Sequence, residues 1–526
     1  MQSLNKRLVA SGRWTIGLVG IVGLGGWRIL RLGRETTFFF DEWNFLLDRS
    51  SPNVENLLRH HNGHLSLIPV AIYQFLLRLF GAGTYLPFRG LAMLLHCGIA
   101  VVAALIVRRH VGQIVSLVTA GVIAFMGAGW QNWLWGFQMG MELSILTGLI
   151  AIFILGGEKK VSREWVAIVL LAVSIASSGV GVSVLVGVSV LAWRLRWWLI
   201  LRASTVLVVF YGVWSATYGD SQSRVDNVRL IPSFLARSAA AVMAGIGGWD
   251  FAIGGVIAGV VVAVVVRKAT LKSTSIPEIP ALASILVVGW LLSALSRAQV
   301  NEPGASRYVH VGVCFAAPLL ALVVVRTHQS WKKKLSIVAV GVLAVGGSWD
   351  IADAAGREFR DRSVIVRGEL TALMQVSDPV AGGYQPDAAR APQISFGRFA
   401  EFASRFEVPL LSPSEIRHSP EFVRFEMDRV YLEAAGVKMV DGVQPSGWIC
   451  EKSQPNDVVK IAAGDELWVS GVHSLEVRRM AKQPHSLVPS SPGIAATLRF
   501  GQDSNPRPWT VRLVSAGPTQ LCRPGS

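Results

Sequence analysis

Long apolar runs are the feature that most constrains how this 526-residue chain can fold. Two of them extend from Ile168 to Ala192 and from Ile253 to Val266. A helix that is apolar on every side has no face for water, so runs of this kind need lipid around them. Hydrophobic residues make up 52% of the chain, and its mean hydropathy of +0.46 exceeds that of an ordinary soluble domain. The sequence therefore predicts an integral membrane protein.

The excess of basic charge is confined to the apolar part of the chain. Residues 1–347 contain 30 Lys and Arg and 13 Asp and Glu, whereas residues 348–526 contain 20 and 21. The cations lie mostly in short connections between apolar runs, where they set membrane orientation, and this placement argues against a nucleic-acid partner. Because every second connection is basic, we expect a multi-pass protein of the plasma (inner) membrane with a cytoplasmic N-terminus and an extracytoplasmic tail.

The runs predict a polytopic α-helical membrane protein of about eleven spans followed by a soluble α+β domain. We place the transmembrane domain at 1–348 and the extracytoplasmic C-terminal domain at 349–526, where Pro and Gly recur between short alternating stretches. The run 165–193 is either two short spans broken at Ser177-Ser178-Gly179 or one tilted span. The expected spans are 14–31, 88–107, 113–129, 137–155, 165–178, 180–193, 198–216, 250–266, 279–296, 309–325 and 335–348.

Three outer connections carry apolar or aromatic residues that we do not interpret as spans. The stretch from Leu65 to Phe80 predicts a helix lying at the outer interface, and Ile231 to Ile246, which Arg237 interrupts, predicts a second. The remaining connection predicts an interfacial aromatic belt formed by Trp130, Trp133 and Trp135.

The four cysteines fall into two pairs of different character. Cys97 and Cys314 lie inside apolar runs, where a thiol packs as a small hydrophobic group. Cys450 and Cys522 lie in the tail, where an extracytoplasmic location permits a disulfide between them. No Cys and His spacing typical of a metal site occurs, so the sequence assigns no metal ligands.

The strongest local signal for chemistry is an acidic pair that follows the first apolar run. Asp41 and Glu42 come directly after Phe38-Phe39-Phe40. At an apolar boundary a carboxylate resists ionisation and becomes a stronger base, which suits it to take a proton from a sugar hydroxyl. The alternative is that both residues only cap the helix that follows, and composition alone does not decide between the two.

A cluster of histidines comes next, in the segment His60-His61-Asn62-Gly63-His64. Three histidines within five residues can bind a metal or a phosphate. The same segment also fits a polar turn at the level of the lipid headgroups, and no carboxylate at ligand spacing accompanies it.

Two later positions are candidates for binding a substrate. Gln138 and Glu142 lie four residues apart on one face of an expected span, where an ionisable side chain is costly unless it faces a cavity or a partner. Arg307 precedes Tyr308 at the outer end of another span, and a guanidinium there can clamp a phosphate or simply contact lipid headgroups.

Taken in chain order, these residues resemble the start of bacterial membrane glycosyltransferases of the GT-C superfamily that use polyprenyl-phosphate donors, in particular actinobacterial-type relatives. The resemblance covers the chain to about residue 348, and the tail resembles no family. The segments that carry it are Asp41-Glu42, His61 to His64, Leu77-Arg78-Leu79-Phe80-Gly81, Val107-Arg108-Arg109, Trp133-Leu134-Trp135-Gly136-Phe137-Gln138 and Ser306-Arg307-Tyr308.

The resemblance implies an enzyme that transfers a hexosyl or pentosyl group from a polyprenyl-phosphate donor to a cell-envelope glycan or lipid acceptor on the outer face of the membrane, with inversion. Asp41 would be the base, with Glu42 as the alternative. Arg307 would stabilise the leaving phosphate, and His61 or His64 would assist. Gln138, Glu142 and Tyr308 complete the expected donor site. No Asp-x-Asp occurs, so no cofactor is assigned and a role for a divalent cation stays open.

Three other functions compete with this interpretation. A transporter or flippase would show internal repeats and broken helices at mid-membrane, and no clear repeat is present. A glycan polymerase or ligase would place its arginines and histidines in a large late outer loop, whereas here the early loop is richer. A scaffold that recruits partners through its tail is the third.

Overall fold

A computed structural model describes residues 2–220, 224–270, 276–299, 303–324, 330–376, 382–489 and 495–524. The chain divides into two compact units, and each is described by itself. Unit 1 comprises Met1–Arg34, Arg49–Arg78 and Leu86–Phe359. Unit 2 comprises Glu35–Asp48, Leu79–Tyr85 and Arg360–Ser526. Unit 2 thus joins two early segments to the tail of the chain.

Helices make up nearly all of unit 1, because its apolar runs satisfy their backbone groups internally. Short turns of other helix types occur at Gly136–Gln138 and Val225–Leu230 in unit 1, and at Asn44–Asp48 in unit 2. The α-helices up to the tail are α1 (Gln2–Leu32), α2 (Val54–Leu58), α3 (Leu67–Phe80), α4 (Leu86–His110), α5 (Gln113–Ala124), α6 (Trp130–Leu134), α7 (Met139–Leu155), α8 (Val161–Ser177), α9 (Val180–Leu195), α10 (Trp198–Tyr218), α11 (Ile231–Gly247), α12 (Phe251–Thr270), α13 (Glu278–Arg297), α14 (Ser306–Val324) and α15 (Trp331–Gln375).

Eight helical segments of the described chain are long and apolar enough to cross a membrane. They confirm a polytopic α-helical membrane protein. The segments are Gly12–Leu32, Leu86–His110, Gly136–Leu155, Trp198–Tyr218, Val225–Gly247, Glu278–Arg297, Ser306–Val323 and Trp331–Gln375.

Seven of these segments coincide with expected spans. The eighth, Val225–Gly247, contains the stretch from Ile231 to Ile246 that the sequence analysis places at the outer interface, and it is also long and apolar enough to cross a membrane. Arg237 is exposed on this helix. The other four expected spans fall on helices that are not among these eight segments of the described chain. Those helices are α5, α8, α9 and α12.

The run 165–193 forms two helices, α8 and α9, separated by an extended Ser178. Polar contacts hold the start of this break against α7. The Ser144 hydroxyl donates to the Ser174 carbonyl at 2.7 Å and lies 3.0 Å from the Ser178 hydroxyl. A Cβ on Gly181 would lie 2.3 Å from the Ser174 carbonyl oxygen, so only glycine allows α9 to start there. Small residues and serine hydroxyls are the usual means of packing helices in lipid.

The expected aromatic belt is wrong for two of its three tryptophans. Belt residues must reach the lipid headgroups, but Trp133 is 3% exposed and Trp135 is 5% exposed. The indole of Trp133 donates to the Met126 carbonyl at 3.2 Å, and Trp135 stacks on Phe137 with ring centroids 5.1 Å apart. Both side chains therefore pack inside the protein.

Helix α15 extends over 45 residues and crosses residue 348, where the sequence analysis ended the transmembrane domain. Its first part is apolar and its second part is charged, and the chain passes from unit 1 to unit 2 after Phe359 within this one helix. Because hydropathy changes without a break in the backbone, the helix alone does not define a domain boundary.

The tail is an α+β domain with two antiparallel sheets, as predicted. The first sheet has the strand order β1-β7-β4-β9-β2 and the second β3-β8-β5-β6. Its elements are α16 (Phe396–Ala403), α17 (Pro413–His418), α18 (Glu421–Ala434), β1 (Lys438–Asp441), β2 (Trp448–Ser453), β3 (Val458–Ile461), β4 (Glu466–Ser470), β5 (Ser474–Arg478), β6 (His485–Leu487), β7 (Ala496–Arg499), β8 (Trp509–Val514) and β9 (Thr519–Pro524).

The disulfide between Cys450 and Cys522 is present and links β2 to β9. The two residues lie directly opposite each other in the register of these strands. The bond therefore fastens an outer strand of the five-stranded sheet to its neighbour.

A buried carboxylate connects α18 to the segment that follows β5. Asp428 is 0% exposed and accepts hydrogen bonds from the backbone N–H groups of Arg479, Met480 and Ala481 at 2.9–3.1 Å. Three consecutive donors on one carboxylate satisfy a charge that burial alone would make unfavourable.

Replacing Asp428 by Asn should destabilise the tail by about 3 kcal/mol, because a neutral amide accepts weaker hydrogen bonds than a carboxylate and places an NH₂ group where Oδ1 accepts from the Met480 N–H. Glu451→Gln is the matched control. The Glu451 side chain is 68% exposed, and its 4.0 Å ion pair with Arg523 is at the surface, where such pairs contribute little to stability. The measurement is the thermal midpoint for protease cleavage of the tail in the purified full-length protein. Equal midpoints for the two variants would contradict the role given to Asp428.

Candidate functional site

The acidic pair lies in a loop of unit 2 whose shape is set by aromatic packing. Phe38 is 1% exposed and packs edge-on against Trp43 and Tyr85, with ring centroids 5.7 Å and 4.9 Å away. Phe40 adopts a left-handed conformation with φ of 46°, which reverses the chain just before Asp41. The loop is therefore a compact turn fixed by its aromatic residues.

Within this turn the two adjacent carboxylates lie in different surroundings. Glu42 is 0% exposed, accepts the hydroxyl of Tyr85 at 3.0 Å and accepts the backbone N–H of Phe39 at 2.8 Å. Asp41 is half-buried. Glu42 consequently acts as an anchor inside the loop, and Asp41 is the member of the pair that retains exposed surface.

Residues of the tail hold the same loop within unit 2. Trp43 is 0% exposed and meets Phe399 edge-on at 5.9 Å between ring centroids. Arg398 donates to the Asp48 carboxylate at the end of the loop. The second early segment of unit 2 is bound too, since the N–H of Ala82 donates to the carbonyl of Glu407 at 2.9 Å. One function of the tail is therefore to support the acidic loop.

The histidine segment of unit 1 forms a tight two-residue turn, which was one of the alternatives expected from sequence. His61 and His64 exchange backbone hydrogen bonds of 2.9 Å and 3.0 Å, and Asn62 and Gly63 both have positive φ. This geometry is a type I′ turn, for which Asn-Gly is the preferred pair. Because the two histidines face each other across the turn, their side chains lie on the same side of it.

A buried arginine holds the chain on the way into this turn. Arg49 donates to the carbonyls of Arg59 and His60 at 3.0 Å and 2.5 Å. Gln74 on α3 in turn donates to the Arg49 carbonyl at 2.8 Å. The segment that carries the histidines is thus fastened to a helix of unit 1.

The structure brings His64 and Tyr308 together through Arg297. The Arg297 guanidinium donates to the Tyr308 hydroxyl at 2.9 Å and lies 3.4 Å from His64 Nε2 and from the Asn62 carbonyl. A Cβ on Gly179 would lie 2.7 Å from His64 Nδ1, so a glycine at the start of α9 leaves space for the ring. Burial, the Arg297 charge and the neighbouring His61 lower the pKa of His64 to about 4, so the ring is neutral at pH 7.

The remaining predicted residues of unit 1 have different surroundings. His61 is buried against Phe137, with ring centroids 5.1 Å apart.

Arg307 is half-buried, with its guanidinium 5.1 Å from the centre of the Tyr308 ring. Arg297, Tyr308 and Arg307 therefore form a patch with two cations. Among the described carboxylates none forms a salt bridge with either arginine.

Gln138 and Glu142 are enclosed, at 2% and 0% exposed. Glu142 contacts two histidines that the sequence analysis did not select, His96 on α4 and His310 on α14. The only local signal for them was an isolated histidine in each apolar run. Arg297 was not selected either, and its position in the last turn of α13 was the signal for it.

The candidate residues therefore divide between the units. Asp41 and Glu42 belong to unit 2, and the six others to unit 1. Within unit 1 the structure assembles two groups, one around Arg297 and one around Glu142.

No protein-family model and no curated protein matches this sequence. Among solved structures, the crystal structure of ArnT from Cupriavidus metallidurans bound to undecaprenyl phosphate is similar over 76% of this chain and 86% of that chain, with 12% identity and a TM-score of 0.47. The archaeal oligosaccharyltransferase AglB from Archaeoglobus fulgidus, in complex with an inhibitory peptide and a dolichol-phosphate, is similar over 64% of this chain and 56% of that chain, with 12% identity and a TM-score of 0.39. At these scores neither similarity supports a functional conclusion for this chain.

The lowered pKa of His64 predicts a specific pH dependence of stability. An unfolded histidine takes up a proton below about pH 6.5, whereas folded His64 does so only near pH 4. Stability should therefore fall as the pH drops from about 6.5 towards 4, by at most about 2 kcal/mol at pH 5. His64→Gln should reduce the fall in thermal midpoint between pH 7 and pH 5, and the exposed His418→Gln should not. Identical pH profiles for wild type and His64→Gln would show that the ring does not carry this linkage.

Proposed function

We propose that the chain is a GT-C-type membrane glycosyltransferase of the plasma membrane that moves a sugar from a polyprenyl-phosphate donor to a cell-envelope glycan or lipid acceptor on the outer face. The observation that carries the proposal is the acidic loop after the first span, in which a buried Glu42 fixes the turn that bears Asp41. A loop of that kind holds a carboxylate in a fixed position, where it can serve as a general base. The donor class follows from the sequence resemblance, which begins with this same acidic pair.

Asp41 is the proposed base. Its carboxylate accepts the proton of the acceptor hydroxyl as the hydroxyl oxygen forms a bond to the anomeric carbon of the donor sugar. The bond between that carbon and the phosphate oxygen breaks, and the polyprenyl phosphate leaves with the bonding electrons. The transition state has oxocarbenium character, and a single displacement inverts the anomeric centre. Glu42 is a positioning residue, because its acceptor capacity is used by Tyr85 and the Phe39 N–H.

The proposed phosphate contacts come from unit 1. Arg297 and Arg307 both contact Tyr308, and neither forms a salt bridge among the described residues. Two guanidinium groups that form no salt bridge with a described carboxylate favour an anion, and the arginine fork fits two phosphate oxygens at once. Neutral His64 can accept a hydrogen bond from Arg297 through Nε2, which helps to hold the guanidinium in place. As charge develops on the leaving phosphate, such groups stabilise it.

The base assignment is tested by single-turnover transfer from a polyprenyl-phosphate sugar. Asp41→Asn should lower the rate at least about 100-fold, because the amide cannot accept the proton, while donor binding stays unchanged. Glu35→Gln is the matched control, since it removes an exposed carboxylate from the same loop. Glu42→Gln and Tyr85→Phe should lower the rate and also make the loop more sensitive to protease, which Asp41→Asn should not. A rate for Asp41→Asn within twofold of wild type would remove Asp41 from the mechanism.

The phosphate assignment has its own test, made by measuring binding of the polyprenyl-phosphate sugar. Arg297→Ala and Arg307→Ala should each weaken donor binding about 10-fold or more, because each loses a charge-assisted hydrogen bond, while the KM for the acceptor stays unchanged. Arg297→Lys should recover only part of the loss, since lysine keeps the charge but not the fork. Arg229→Ala, at an exposed position, is the control. Unaltered donor binding in both alanine variants would contradict the assignment.

A further inference from the structure

A buried group of metal-binding side chains lies in unit 1, apart from the residues assigned to sugar transfer. His96 on α4, Glu142 on α7 and His310 on α14 are each 0% exposed. One ligand atom from each residue lies within 4.8 Å of the others. The three helices are separate spans of the chain, so the group joins three parts of the bundle that are distant in sequence.

The distances within the group suit a single coordinated ion. Glu142 Oε1 lies 2.7 Å from His310 Nε2 and 4.0 Å from His96 Nδ1. Tetrahedral zinc with bonds of about 2.05 Å to nitrogen and oxygen places its ligand atoms about 3.3 Å apart, and the two observed distances lie on either side of that value. Small movements of the side chains would therefore close the group around a metal.

A further donor lies beside His310. Cys314 is one helical turn after His310 on α14 and is 0% exposed, and its Sγ is 3.5 Å from His310 Nε2. A thiolate and an imidazole on the same zinc ion are about 3.5 Å apart, since the zinc–sulfur bond is about 2.3 Å. With one carboxylate and one thiolate as ligands, a divalent ion makes a site of zero net charge, which suits an apolar bundle.

Some buried polar atoms of the group form no hydrogen bond with other described residues. Neither carboxylate oxygen of Glu142 has a hydrogen-bond partner of good geometry among the described residues, and the same holds for His310 Nδ1. A buried carboxylate without a cation is costly in a helix bundle. Glu278 shows the alternative, since it is also 0% exposed but lies 3.5 Å from Arg109 and 3.1 Å from His110.

We propose that His96, Glu142 and His310, with the Cys314 thiolate as the fourth ligand, bind one zinc-like divalent transition-metal ion. Mixed nitrogen, oxygen and sulfur donors favour zinc over magnesium or calcium, which prefer oxygen alone. Binding releases the proton of the Cys314 thiol to solvent, since a thiol binds zinc as the thiolate. Four protein ligands leave no open position, so the ion is structural and connects α4, α7 and α14. Glu142 is then a ligand rather than a donor contact.

Metal content of the full-length protein, purified without chelators, is the primary test. Wild type should contain about one zinc-like ion per chain, and Glu142→Gln at most about a tenth of that. Glu278→Gln is the matched control, because it also removes a buried carboxylate beside a histidine and should retain the ion. A wild type that holds no metal and takes up none from added Zn²⁺ overturns the proposal, and so does full occupancy in Glu142→Gln. The rate of sugar transfer by Asp41→Asn tests the proposed function separately, because Asp41 is not one of the proposed metal ligands.

Cobalt substitution tests the ligand set without depending on the stability of the carboxylate variant. Co²⁺ bound to wild type should give visible bands of a four-coordinate ion and a near-ultraviolet band from a cobalt–thiolate bond. Cys97→Ser is the control, since Cys97 is the other free cysteine and also lies in an apolar helix, and it should retain the thiolate band. Cys314→Ser should lose that band. Its persistence in Cys314→Ser, or a six-coordinate spectrum in wild type, would overturn the proposal.

Discussion

The carboxylate of Glu42, removed from water and held by the Tyr85 hydroxyl and the Phe39 N–H, is the interaction on which the acidic loop depends. A buried carboxylate tolerates little movement, because each lost hydrogen bond leaves a charge without compensation. The turn around Phe40 is therefore fixed, and with it the position of Asp41. The tail contributes to the same arrangement through Phe399 against Trp43 and Arg398 on Asp48. This explains why a β-rich domain belongs to a protein whose proposed chemistry begins in a loop near its N-terminus.

Three buried carboxylates show how the protein compensates negative charge that is removed from water. Glu42 accepts hydrogen bonds from the Tyr85 hydroxyl and the Phe39 N–H, and Glu278 lies beside the Arg109 guanidinium and His110. Among the described residues Glu142 forms no salt bridge with Lys or Arg and lies beside His96 and His310, and we infer that a metal ion supplies the positive charge there. In each case the partner reaches the carboxylate from another element of the fold, so these side chains also fix how the elements pack.

The sequence predicted the fold class because hydropathy is a local property, and long apolar runs such as that of α4 have few alternatives to a spanning helix. The ends of the helices were less predictable. A Cβ on Gly127 would lie 2.1 Å from the Ser348 carbonyl oxygen, so the chain after α5 is shaped by a neighbour more than 200 residues away. The length of α15 was missed for a related reason, since a change from apolar to charged residues does not end a helix.

In the candidate site, too, features encoded by adjacent residues were predictable, and features that depend on contacts with distant residues were not. The turn at Asn62-Gly63 is encoded by two adjacent residues and was among the expected possibilities. The different surroundings of Asp41 and Glu42 could not be predicted, because they depend on Tyr85. The group of His96, Glu142 and His310 could not be predicted either, since its three residues come from three helices that are distant in sequence.

The most direct measurement of the central claim is a transfer assay with the purified full-length protein in lipid vesicles. The reactants are a polyprenyl-phosphate sugar and a cell-envelope glycan acceptor, and NMR reads the anomeric configuration of the product. The account predicts a new glycosidic bond of inverted configuration, with one polyprenyl phosphate released for each sugar transferred. Passage of the intact lipid-linked sugar across the membrane without cleavage of its phosphate bond would contradict the account and identify a transporter instead.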